Sequence, residues 1–78
     1  MAATKDQKKL LNRCLLNEVP VFVLTGTDAC ALAALKAYAT EARRLGCNPE
    51  FIADLEGNVI PDFHDFQAEE KDSVKLPD

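Results

Sequence analysis

Residues 43–50 read Arg43-Arg44-Leu45-Gly46-Cys47-Asn48-Pro49-Glu50, and this octet decides the fold. It stops one helix and starts another within a few residues. Arg43 and Arg44 suit the negative end of a helix dipole. Gly46 supplies the left-handed residue that commonly ends a helix. Asn48 is a good N-cap, Pro49 is favoured at the first helical position because its missing N–H would be unpaired there anyway, and Glu50 suits the first turn. Helices joined by so short a link fold back as antiparallel neighbours.

Upstream of the octet, Ala31, Leu35, Tyr38, Ala42 and Leu45 recur at i, i+4, i+7, i+11 and i+14, with Leu32, Ala34 and Ala39 beside them and Lys36 outside. That is one apolar face of a helix. Thr25-Gly26-Thr27-Asp28 reads as a turn with a capping side chain, so this helix is expected over about 28–45. Downstream, Ile52, Leu55, Val59, Phe63 and Phe66 fall at i, i+3, i+7, i+11 and i+14, which predicts a second helix over about 49–69. Pro61 interrupts it. A proline inside a helix removes one N–H and presses its ring on the carbonyl four residues back, here that of Gly57, so a kink or a break is expected near Pro61.

Farther out lies Val19-Pro20-Val21-Phe22-Val23-Leu24, six apolar residues in a row, β-branched and aromatic. The run reads as extended, with Pro20 at a strand start or edge. An unbroken apolar run predicts that both faces are covered. A lone strand has no ladder partner, so the segment either pairs with another chain or is an internal extended strip. Val19, Val21, Phe22, Val23 and Leu24 are therefore the candidate self-association segment. Before it, Leu10, Leu11, Cys14 and Leu15 have helical spacing, with Lys8, Lys9 and Arg13 outside, which predicts a short amphipathic helix from about Lys5 to Asn17. Residues 1–4 read as a frayed end and 71–78 as a flexible tail, leaving 5–70 as a single helical domain. The fold class is mostly α.

Size and charge exclude several functions. A chain of 78 residues holds one domain with a thin core, too little for a doubly wound sheet, a barrel enzyme or a two-lobed site. The longest apolar run is far short of the roughly 20 residues a spanning helix needs, and no signal-like apolar stretch follows the N-terminal lysines. A cytoplasmic protein is expected. Three cysteines, Cys14, Cys30 and Cys47, at wide spacing fit a reducing compartment better than a disulfide framework. The net charge is −4, unevenly spread: residues 1–13 hold four basic groups against Asp6, whereas 48–78 hold nine acids against Lys71 and Lys75. So acidic a half repels a phosphate backbone and argues against nucleic acid.

The residues able to do chemistry are few. His64 has no metal-ligating neighbour one turn away along its helix. Cys30 near a helix start with His64 as base would be a nucleophile pair, but Asp28 opposes a thiolate there, and all three cysteines read as small buried apolar residues. Glu50, Asp54, Asp65 and Glu69 form a ridge along the last helix. Paired carboxylates on a convex face lack the pocket that acid–base catalysis needs, so the ridge reads as a solvated face or a surface for a basic partner. The Thr25–Asp28 turn before a helix has the outline of an anion or nucleotide site, without a phosphate-binding glycine motif and with Asp28 repelling phosphate. The order strand, helix, turn, helix is also the outline of the ribbon-helix-helix DNA-binding fold, in which the strand pairs across a dimer; here the strand lacks base-reading polar residues.

The run from Pro20 to Asp28, followed by Ala31, Leu35, Tyr38, Ala42, Phe51, Asp54 and Leu55, resembles a set of small bacterial proteins with a P-V-F-V-L-x-G-x-D core and two helices, many associated with phage or mobile elements. The resemblance covers about residues 19–69 and is most specific in those nine residues. It implies a common fold. Those proteins have no assigned activity, so it implies no residue roles, and Pro61 departs from the uninterrupted last helix it would lead one to expect.

The sequence thus predicts a non-enzymatic, acidic interaction or accessory protein without metal or cofactor. It is expected to be a homodimer, with a basic protein as a second partner and no membrane contact. The alternatives are a ribbon-helix-helix-like dimeric DNA-binding regulator, and a small-anion or nucleotide binder at Thr25–Asp28.

Overall fold

The computed structural model describes residues 6–77, and the expected frayed end at 1–4 lies outside them. The chain is mostly helical, with no strand among the described residues. Its elements are α1 (Gln7–Leu16), α2 (Ala31–Arg44), α3 (Pro49–Asp54), a π turn (Leu55–Val59), α4 (Ile60–Glu69) and a short 3-10 turn (Lys71–Ser73).

Two helix ends are built alike. After α2, the Gly46 N–H donates to the Arg43 carbonyl and the Cys47 N–H to the Ala42 carbonyl, with Gly46 at φ +72°. After α1, the Glu18 N–H donates to the Leu15 carbonyl and the Val19 N–H to the Cys14 carbonyl, with Glu18 at φ +54°. This pair of bonds is the Schellman closure, and it requires a left-handed residue, for which glycine carries no Cβ penalty. α1 achieves it with a glutamate. The starts are sequence-coded: the Asp6 carboxylate accepts from the Lys9 N–H at α1, and Asn48 Oδ1 accepts from the Glu50 N–H ahead of Pro49.

The irregularity expected near Pro61 lies before it. Helical geometry runs from Pro49 to Glu69 without a break, and Ile60 stays right-handed at φ −62°, ψ −47° despite the proline after it. The chain widens instead over Leu55–Val59, where the Ile60 N–H donates to the Leu55 carbonyl five residues back. A π turn holds one residue more than an α turn. Widening there frees the Gly57 carbonyl from an α-type bond to residue 61, whose N–H does not exist, and relieves the ring's pressure on it.

The extra residue also rotates everything beyond it, by about 100° of helical phase. Gln67 is half-buried, while Phe66 sits at the margin, 38% exposed. The core itself is thin. Ala31, Ala39, Ala42, Ile52 and Leu55 are buried, and the alanines let α2 come close to α3 and α4. Tyr38 on α2 meets Phe51 on α3 edge to face, ring centroids 6.1 Å apart.

Residues 71–78, read above as a tail, begin otherwise. After the 3-10 turn, Val74 is half-buried and Lys75 pairs beside Asp28, its N–H donating to the Thr27 carbonyl and its carbonyl accepting from the Ala29 N–H, both at 2.9 Å. The end of the helical region is thereby tied to the turn that starts α2.

Candidate interaction surface

The Schellman closure at Glu18 turns the chain so that residues 20–24 run beside α1. Together they line an open groove whose apolar wall includes Leu10, Leu11, Cys14, Val21 and Phe22. The strip is not covered on both faces, as its composition leads one to expect. Val19, Val21, Phe22 and Val23 are exposed, Phe22 by 83%, and only Leu24 is half-buried. The physical reason is that α1 is one short helix lying on one side of the strip, where it lines the groove with residues 20–24. Leu15 and Leu16 at the end of α1 are exposed as well.

Leu24 leads into an apolar cleft of about 430 Å³ formed with Gly26, Leu35, Val59, Phe63 and Phe66. Gly26 lets Phe66 pack close at its rim, since a Cβ there would lie 2.9 Å from Phe66 Cδ1 and force that ring to shift. Gln67 locks the turn from the other side. Its amide nitrogen donates to the Gly26 carbonyl at 3.1 Å and the Asp28 carbonyl at 2.9 Å.

That turn offers an anion little. The Asp28 carboxylate accepts from the Cys30 N–H at 2.7 Å, the Ala31 N–H goes to the Asp28 carbonyl, and the Ala29 N–H goes to Lys75. The chain's own acceptors thus occupy amides that would otherwise meet a phosphate. Thr25 and Thr27 spend their hydroxyls on each other at 2.8 Å.

The acidic residues are placed as a surface. Glu50, Asp65 and Glu69 are exposed, and half-buried Asp54 accepts from Asn58 Nδ2. Asp65 lies 3.2 Å from the exposed His64 ring. Sequence reasoning missed two carboxylates with closer partners. Arg43 binds Glu56 through two nitrogens, and its guanidinium holds the Glu56 carboxyl below the ordinary carboxylate range; Arg44 does the same to Glu41. The i, i+3 spacing of Glu41 and Arg44 was the available signal for the second pair; the first joins two elements and has no local signal. The cysteines do not share a site, and Cys30 is exposed rather than buried because it stands outside the first turn of α2. No group of His, Cys, Asp and Glu among the described residues has the geometry of a metal site. No helix among the described residues is long and apolar enough to cross a membrane.

No family model, curated protein or solved structure matches this chain.

Proposed function

We propose that this chain is a small non-enzymatic interaction protein that works as a homodimer, an acidic accessory factor of the cytoplasm that uses no cofactor. The observation that carries the reading is the run of exposed apolar residues Val19, Val21, Phe22 and Val23, with Leu15 and Leu16 exposed before it, in a chain whose buried residues are few and mostly alanine among those described. Apolar side chains left exposed in numbers mark association sites. A core that buries so little gains most from a partner. Three free thiols support a reducing compartment. The ridge of Glu50, Asp54, Asp65 and Glu69 is a second surface, suited to a basic protein.

Light scattering in reductant across a dilution series tests the self-association. A mass of twice 8.6 kDa that persists into the micromolar range is expected. A mass of 8.6 kDa throughout overturns the homodimer.

A further inference from the structure

We propose that residues 20–24 pair antiparallel with the same residues of a second copy, about a two-fold axis through Phe22. The proposal rests on the self-association reading and gives it a surface, a direction and a register.

Three observations lead to it. First, no hydrogen bond within the described chain engages the backbone of residues 20–24. A row of free N–H and C=O groups between β-branched side chains is a template for another strand. Second, the molecule has surface to spare. Its accessible surface is 6090 Å², whereas a compact folded monomer of its mass exposes about 4,700 Å². The radius of gyration is 13.5 Å, against about 11.5 Å for a compact chain of this length. The excess exceeds the roughly 800 Å² that each partner of a stable complex buries. A second copy is the occupant that uses this excess on both chains at once, since a two-fold interface buries the same patch twice.

Third, Pro20 selects the register. In an antiparallel pair, alternate residues direct both backbone groups at the partner and the residues between direct them away. Pro20 has no N–H, so it belongs among those pointing away, with Phe22 and Leu24. Val21 and Val23 then face the partner. With Phe22 on the axis, Val21 of one chain exchanges two bonds with Val23 of the other, and the symmetric pair adds two more. The Val19 N–H is already spent on the Cys14 carbonyl, which sets where the ladder begins. The two Phe22 side chains meet in a close, non-hydrogen-bonded pair. Such aromatic cross-strand pairs are favourable, and this one covers the most exposed aromatic ring in the described chain.

Amide exchange on the wild-type protein reads the register directly. The Val21 and Val23 amides are expected to exchange at least tenfold more slowly than those of Phe22 and Leu24, with the protection fading on dilution in step with the mass. Cross-linking gives an independent reading. In a background with Cys14, Cys30 and Cys47 changed to Ala, checked for helicity by circular dichroism, diamide is expected to oxidise Phe22→Cys to a covalent dimer at least tenfold faster than Val21→Cys. A dimer without alternating protection, or with Val21→Cys cross-linking as fast, overturns the strip pairing and leaves the homodimer standing. A monomeric mass overturns both.

Discussion

Replacing Gln67 tests whether α4 is locked to the turn before α2. Its amide holds two carbonyls that have different alternatives. The Asp28 carbonyl keeps the Ala31 N–H, whereas the Gly26 carbonyl has no other partner among the described residues. A hydrogen bond of this kind contributes about 0.5–1.5 kcal/mol net, so Gln67→Ala should cost about 1–2 kcal/mol. In a domain of this size that lowers Tm by roughly 4–16 °C. Gln67→Glu is the sharper probe because it keeps the shape and reverses the chemistry. An ionised carboxylate would face two carbonyl oxygens, which raises its folded-state pKa above the unfolded value of about 4.3. The folded state then holds the proton to higher pH than the unfolded state does. The variant is least impaired below pH 4 and loses stability as pH rises through the folded pKa. Urea unfolding followed at 222 nm between pH 4 and 7 measures this. A Gln67→Ala variant within about 0.5 kcal/mol of wild type, beyond what a lost pair of bonds allows, or a Gln67→Glu deficit that does not grow with pH, would refute the reasoning.

Gly26→Ala should destabilise the chain by about 1 kcal/mol, the net of a clash with Phe66 and a stiffer unfolded chain, and adding Phe66→Ala should remove the clash, which a double-mutant cycle in urea checks. Glu18→Gly should stabilise by about 0.5–1 kcal/mol, because the left-handed residue closing α1 loses its Cβ penalty; the thermal midpoint reads it. For Glu56 the folded pKa is depressed by Arg43. Its contribution is therefore fully present above the unfolded pKa and lost as pH falls through the folded one. Wild type and Glu56→Gln should converge in Tm at low pH and at high salt, as expected for an exposed pair.

The mostly helical character was legible because its signals are local. Gly46, Asn48 and Pro49 act within one turn of themselves, and the structure uses each where it stands. The π turn was half legible: Pro61 announces a conflict with the Gly57 carbonyl, but periodicity counted in steps of 3.6 cannot show that the chain resolves it by absorbing a residue. That slip hid Gln67, which the unshifted pattern places beside the apolar stripe rather than in it. The return of Lys75 to Thr27 and Ala29 was illegible, since two backbone bonds across the length of the domain leave no mark on side-chain patterning. The exposure of Phe22 was misjudged for another reason: hydrophobicity says that a residue seeks cover, without saying which molecule supplies it.

The tie between Lys75 and the Thr27–Ala29 turn has a mechanical consequence. It closes α2, α3 and α4 into a ring, which α1 and the strip join from one side, where Gln7 and Leu24 line the cleft with Leu35 and Phe63. Tension applied between Gln7 and Pro77 enters the ring at that junction, where the two backbone bonds of Lys75 and the two amide bonds of Gln67 share the load. Once they part, the helices are loaded from opposite ends and can peel apart one turn at a time. The first resistance to such a pull is thereby gathered at one turn, in four hydrogen bonds.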